Sequence, residues 1–234
     1  MRTSLLTATS LCCVLLSPAG LRAQARPPAT TEEMHRLHQD SKAYIALLED
    51  PARDAYQKPH EVLMALDLKD GDRIADIGAG SGYFSLRFAR HVGHAGRVFA
   101  VDVNPDMIAR INQRVREGGL DNVTTILARA DDPLLPASSV DRIFLCDTWH
   151  HIGNHAHYLD VLKKILKPGG QVVIIDFQKK VTPVGAPMEM RVAREDVVTE
   201  FERHGFRLAS EHAFLPYQYF LVFAPADAAS GATR

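Results

Sequence analysis

Cysteine is scarce in this chain, and its placement takes it out of structural use. Cys12 and Cys13 fall within the first twenty-five residues, and Cys146 is the single cysteine beyond them. A lone thiol makes no internal disulfide, which excludes a cystine-stapled scaffold. Charge of one sign is also missing. Lys and Arg number 27 against 28 Asp and Glu, a net of -1, so the chain has no overall basic field and nucleic acid is not an expected partner. Long apolar runs are absent too. Leu11 to Leu16 is the core of the most apolar segment and falls far short of the roughly 20 residues of a bilayer span, so stable membrane insertion is not expected. No GKS or GKT follows any glycine cluster, which excludes a Walker phosphate loop.

What the first twenty-five residues do contain is the layout of a secretory signal peptide. Arg2 supplies a positive start, Leu11 to Leu16 an apolar centre, and Ala23, Gln24, Ala25 a small-residue cleavage site. Cleavage after Ala25 removes Arg2 and Arg22 and no acids, leaving 25 basic against 28 acidic residues. The expected location is periplasmic or secreted, and cytoplasmic if the leader is not functional. Thr9, Ser10 and Leu11 do not make the small-residue approach that a lipid-anchored Cys12 requires.

The whole chain is 46% hydrophobic, enough to bury one α/β core. Residues 26–58 are expected to form a linker followed by a helical cover, 59–224 the main domain, and 225–234 a disordered tail. Thr31 is expected to cap a first helix whose opening turn carries Glu32 and Glu33. Pro59 suits the first turn of a short helix through Leu66. Tyr56, Gln57 and Lys58 are open between lining a site and merely capping and packing.

The organising stretch is Arg73 to Phe84, RIADIGAGSGYF. Ile74 to Ile77 reads as a strand buried on both faces, and Phe84, Phe88, Ala89 and Val92 lie on one side of a following helix. Between them Gly78, Gly80 and Gly82 let the backbone turn sharply and approach a ligand. A dinucleotide fingerprint requires a third glycine three residues after Gly80, and Tyr83 stands there. What is present is DxGxGxG, with Asp76 two residues before the first glycine.

DIGAGSG resembles the glycine-rich first motif of the class I S-adenosylmethionine-dependent methyltransferases. A second motif fits the same family. Val98 to Val101 reads as a strand ending in Asp102, about 26 residues past Asp76, where a carboxylate can accept both ribose hydroxyls of a nucleoside. The alternative for Asp102 is an N-cap of the next helix. The resemblance implies a Rossmann-like three-layer sandwich with a seven-stranded, mostly parallel sheet and a reversed last strand. It implies S-adenosyl-L-methionine as cofactor, held by Asp76, Gly78, Ala79, Gly80, Gly82, Asp102, Val103, Met107, Asp131 and Asp147. Met107 would lie against the adenine or in the core, and Asp131, with Asp132 as second choice, would meet the adenine amino group. The partner implied is a small-molecule methyl acceptor.

The fourth strand, Val140 to Cys146, leads into Asp147, Thr148, Trp149, His150 and His151, and all five are expected at the carboxyl end of the sheet facing the site. Imidazole suits removal of a proton near neutral pH, so His150 or His151 is the candidate base, or else both only line a pocket. His151 and His155 have the i, i+4 spacing of helical metal sites, yet no acid or cysteine nearby completes a set. Asp147 and Asp176 end neighbouring strands as in the magnesium-dependent catechol type, but Phe177 follows Asp176 where that type has Asn. No metal is expected. An exported, non-catalytic binding protein keeping the same fold is the alternative function.

Overall fold

The computed structural model describes residues 30–226. The expected signal peptide and the start of the linker, and all but two residues of the expected tail, lie outside them.

The chain enters through a helical cover. Helix α1 (Thr31–Gln39) is capped by Thr30, not Thr31: the Thr30 hydroxyl accepts from the Glu33 amide while the Glu33 carboxylate accepts from the Thr30 amide. Asp40 closes α1 and its carboxylate then caps α2 (Ser41–Leu48), so one residue breaks the expected single helix into two. The short α3 (Arg53–Gln57) ends at Lys58 in a left-handed conformation, and α4 (Pro59–Leu66) begins with Pro59 in its first turn.

Seven strands and four α-helices follow among the described residues. In order they are β1 (Arg73–Ile77), α5 (Ser85–His91), β2 (Arg97–Asp102), α6 (Pro105–Glu117), β3 (Val123–Leu127), β4 (Val140–Cys146), α7 (His155–Ile165), β5 (Leu166–Phe177), α8 (Arg194–Arg203), β6 (Phe206–His212) and β7 (Gln218–Pro225). The seven strands form one sheet in the order β3-β2-β1-β4-β5-β7-β6. All pairs are parallel except those of β7, which runs against both β5 and β6. This is the Rossmann-like sandwich with its reversed last strand.

One boundary differs from the sequence reading, while β5 starts at Leu166 and shifts register against β4 between Val140 and Arg142. Pro225, expected in the tail, ends β7, and the Ala226 amide bonds the Gly205 carbonyl.

Period-two alternation builds the layers. Ala75, Ile77, Ile143, Leu145, Val172 and Ile174 face α7 and α8 through Leu159, Leu162 and Phe201. Ile74, Phe144, Val173 and Ile175 face the other way onto Val62, Leu66, Phe84 and Phe88. Both faces are covered, as a parallel sheet of uninterrupted apolar strands requires. Strand order reverses at β1, with β2 on one side and β4 on the other, and this places a crevice beyond the carboxyl ends of β1 and β4. No helix among the described residues is long and apolar enough to cross a membrane.

Candidate cofactor and acceptor cleft

A cleft of about 900 Å³ occupies that crevice, roofed by α1 and α2. Its volume is within the range of small-molecule sites. Asp76, Gly78, Ala79, Gly80, Asp102, Val103, Met107, Asp147, His150 and His151 all line it. Two of the expected residues do not. Gly82 lies below the loop, where an added Cβ would come within 2.7 Å of Leu86 and 3.2 Å of Ile111, so it is a packing glycine. Asp131 is exposed outside the cleft, which is lined there by Ala128, Arg129 and Ala130 instead. The Arg129–Asp132 bridge turns the chain, and Asp132 spends a carboxylate oxygen on the Leu134 amide.

The glycine bend is closed from below. Asp76 is almost fully buried, and its carboxyl accepts the Ser85 hydroxyl at the start of α5, tying strand to helix across the bend. Burial pushes Asp76 up to about 7. Gly80 sits at φ +55 with Leu48 of the cover 2.9 Å from where a Cβ would be, so the cover rests directly on the bend. Gly78, at φ +72, is met more tightly still, with Thr148 Oγ1 2.2 Å from where a Cβ would be.

Asp102 is not the cap of α6, since Asn104 takes that role through the Asp106 amide. Instead Asp102 accepts the Gly80 amide at 2.8 Å and the Asn104 amide at 2.9 Å, one on each oxygen. A carboxylate has about four acceptor sites. Two remain for a vicinal diol. Burial raises Asp102, and the backbone amides of Asn104, Gly80 and Val103 oppose that rise. Met107 is both fully buried and part of the lining.

At the tip of β4, Asp147 adopts a left-handed φ of 54, a conformation uncommon outside glycine and enriched at functional sites. Its carboxylate accepts Gln218 Nε2 at 2.7 Å, and Gln218 in turn accepts Nε2 of the buried Gln57 at 3.1 Å. Gln57 is thus a buried relay, Lys58 a helix cap, and only Tyr56 of that trio lines the cleft. Burial and the neighbouring Asp176 push Asp147 up to about 6.

The histidines separate into distinct roles. His150 Nδ1 lies 2.9 and 3.0 Å from the two oxygens of fully buried Asp176. Burial works against charge on His150, but Asp176 outweighs it and raises the imidazole above its ordinary value. His151 packs on His150 with ring centroids 4.1 Å apart and meets His38 of α1 at 5.2 Å. Burial and these two imidazoles lower His151 to about 4. His155 turns away to Glu200 at 2.8 Å and does not join the row. Trp149, expected to face the cleft, is fully buried instead, stacked on His155 at 4.2 Å and against Phe201, because the short 3-10 turn at 149–151 rotates it under the sheet.

Sequence reasoning passed over Arg53. Its guanidinium lines the cleft, with Asp147 at 4.0 Å and the Tyr83 ring centroid at 4.1 Å. It also passed over the apolar end, where Met34, Leu37, Ile152, Phe177, Val184 and Ala186 form the lining. No sequence signal marks the convergence of Arg53, from the cover, with Asp147.

Residues 68–205 match the family described as "Methyltransferase domain". Among curated proteins, the ubiquinone/menaquinone biosynthesis C-methyltransferase UbiE of Hydrogenovibrio crunogenus is 28% identical over 118 residues, 50% of this chain and 46% of that protein. UbiE of Vibrio cholerae serotype O1 is 29% identical over 114 residues, 48% of this chain and 44% of that protein. The chain therefore spans about half the length of these relatives. Among solved structures, a SAM-dependent methyltransferase from Aquifex aeolicus superposes with a TM-score of 0.74 at 29% identity, over 77% of this chain and 96% of that one. By the family match, the glycine bend and the sheet order, this chain belongs to the methyltransferase domain family.

Proposed function

We propose that the protein transfers a methyl group from S-adenosylmethionine to a small-molecule acceptor by in-line displacement. The observation that carries this is convergence: the Gly78–Gly80 bend, the Asp102 carboxylate and His150, backed by buried Asp176, all line one cleft. The residues present fit the cofactor. Asp102 suits the ribose hydroxyls, Met107 and Ala128 to Ala130 an adenine, and Asp147 and Arg53 opposite charges of an amino-acid end. When bound, S-adenosylmethionine supplies a methyl group on a positively charged sulfur that leaves as a neutral thioether.

The chain's own task is alignment, exclusion of water and management of one proton. With Nδ1–H donated to Asp176, His150 presents Nε2 as a lone-pair base, and the carboxylate stabilises the imidazolium formed when that nitrogen takes the acceptor's proton. His151, held neutral, neither competes for that proton nor adds charge beside it. The apolar wall of Met34, Leu37, Ile152 and Phe177 supports an acceptor with an apolar body and a single ionisable group. The cover formed by α1 and α2 is tied down by Glu49, whose carboxylate takes Arg110 at 2.8 and 2.6 Å.

Incubation with methyl-labelled cofactor and a panel of phenolic, enolic and amine acceptors tests the assignment. Label in an acceptor supports it. Cofactor binding without transfer to any acceptor supports the non-catalytic binding protein. The exported location is part of the proposal, and N-terminal sequencing of protein from a periplasmic fraction should begin at Arg26.

A further inference from the structure

One wall of the cleft is built by a stretch with no regular structure of its own. Residues 178–187 form neither helix nor strand, yet Pro183, Val184, Gly185 and Ala186 line the cleft together with Phe177. A segment without a ladder needs some other donor for its carbonyls. That donor is Arg191, only 3% exposed and directly after the 3-10 turn at 188–190. Its Nε donates to the Ala186 carbonyl at 2.6 Å, Nη1 to those of Lys180 and Gln178 at 2.7 and 3.0 Å, and Nη2 to that of Val184 at 3.4 Å. The loop is wrapped around one guanidinium.

The same side chain fixes the aromatic part of the wall. The guanidinium lies 5.2 Å from the centroid of the Phe177 ring. On the loop side, Gly185 at φ +101 would carry a Cβ within 2.6 Å of that ring, so the loop backbone is pressed onto it. Inside the turn the Thr182 hydroxyl donates to the Val184 carbonyl at 2.6 Å. The Thr31 hydroxyl of α1 donates to Glu189, two residues before Arg191, which fastens the roof to the same segment. Arg191 itself is not among the lining residues, so it acts on the cleft through Phe177 and the loop.

We infer that Arg191 is the positioning residue for the acceptor's apolar body: it holds Phe177 and residues 183–186 as a fixed wall, and that wall selects phenols with an extended apolar body over single-ring ones. The inference rests on the methyltransferase reading. It goes beyond it by assigning acceptor size preference to a residue outside the cleft. A planar guanidinium presents five donors in a fixed fork, enough for four carbonyls at once, whereas a lysine offers three donors from a single point.

The test uses the full chain, with calorimetric titration of S-adenosylhomocysteine and a labelled-cofactor assay on two probes, phenol and 2-naphthol. Wild type should show the lower KM for 2-naphthol, whose second ring adds apolar surface against the wall. Arg191→Met should raise that KM by roughly tenfold or more while kcat and S-adenosylhomocysteine affinity stay within about twofold, because the binding lost is equal in ground state and transition state. The KM for phenol should move less, so the preference collapses. Arg191→Lys should lose most of the preference as well. Thr182→Val breaks the same loop more mildly and should show the same selective loss in smaller measure, which keeps the test decisive if Arg191→Met does not fold. An unchanged preference in the folded variants, or a matching loss of S-adenosylhomocysteine affinity, overturns the inference and leaves the methyltransferase reading intact. Wild type that binds S-adenosylhomocysteine but labels neither phenol also overturns the assigned wall. Failure of wild type to bind S-adenosylhomocysteine overturns that reading and this inference together.

Discussion

His150 and Asp176 form a buried pair in which Nδ1 of the ring lies within 3.0 Å of both carboxylate oxygens. The acid comes from the end of β5 and the imidazole from the turn after β4, so the parallel pairing of these strands makes the contact. Their sequence separation of 26 residues hides it.

As the proposed base, His150 must be neutral to act. Asp176 raises its pKa above 6.5, so turnover should fall as pH drops through that raised value. Asp176→Asn removes the cause, and the acid limb of the rate profile should move to lower pH. His150→Gln should lower kcat by roughly 100- to 10,000-fold with little change in cofactor affinity. A pH–rate profile measured with the labelled-cofactor assay on all three proteins checks both statements. An unmoved acid limb in Asp176→Asn contradicts the pairing's role.

The seam between cover and sheet holds histidines shifted in the opposite direction to His150. His38 and His151 are both lowered, His38 by burial, His150 and His35, and His151 by burial, His150 and His38. Protonation then favours the unfolded or opened chain, so stability is full above about 6.5 and is lost as pH falls toward about 4. His151→Gln should flatten this loss. Thermal melts between pH 7.5 and 4.5, with proteolysis at the cover as second readout, measure it. An equally steep loss in the variant would contradict the assignment.

Asp76 titrates in the reverse sense. Its carboxyl rises from 3.8 to about 7, so its contribution to stability is complete below 3.8 and is lost as pH rises through 7. Asp76→Asn should raise the melting point of the ligand-free protein at pH 8, by the equivalent of about 2–4 kcal/mol, with no such gain at pH 4. A lower melting point at pH 8 would show that the ionised carboxyl stabilises the fold.

Gly78→Ala should cost about 1–3 kcal/mol, since alanine would take a left-handed φ of 72 and push into Thr148. Gly119→Ala, at φ +60 with nothing within 4 Å, carries the backbone strain without the clash. Denaturant midpoints of the two variants separate the contributions, and equal losses would show that Thr148 yields freely.

The bend and Asp102 were legible in the sequence because both are local: glycines between a buried strand and a helix, and an acid ending the next strand. Strand content was legible for the same reason, since β1, β2, β4 and the centre of β5 are short apolar runs. Arg53 and Gln218 were not, because they meet Asp147 only after the first and last parts of the described chain fold onto β4. Asp131 was misplaced because the family pattern puts an acid after the third strand, whereas here the Arg129–Asp132 bridge turns the acids outward. Trp149 was misplaced because alternation along β4 does not continue through a 3-10 turn.

The central claim is that a nucleoside is held against the glycine bend by Asp102. Titration of S-adenosylhomocysteine into wild type and Asp102→Ala tests it most directly. Saturable binding to wild type, weakened roughly tenfold or more in Asp102→Ala, is the result expected from losing two charge-assisted hydrogen bonds. Equal affinity in the two proteins would contradict it.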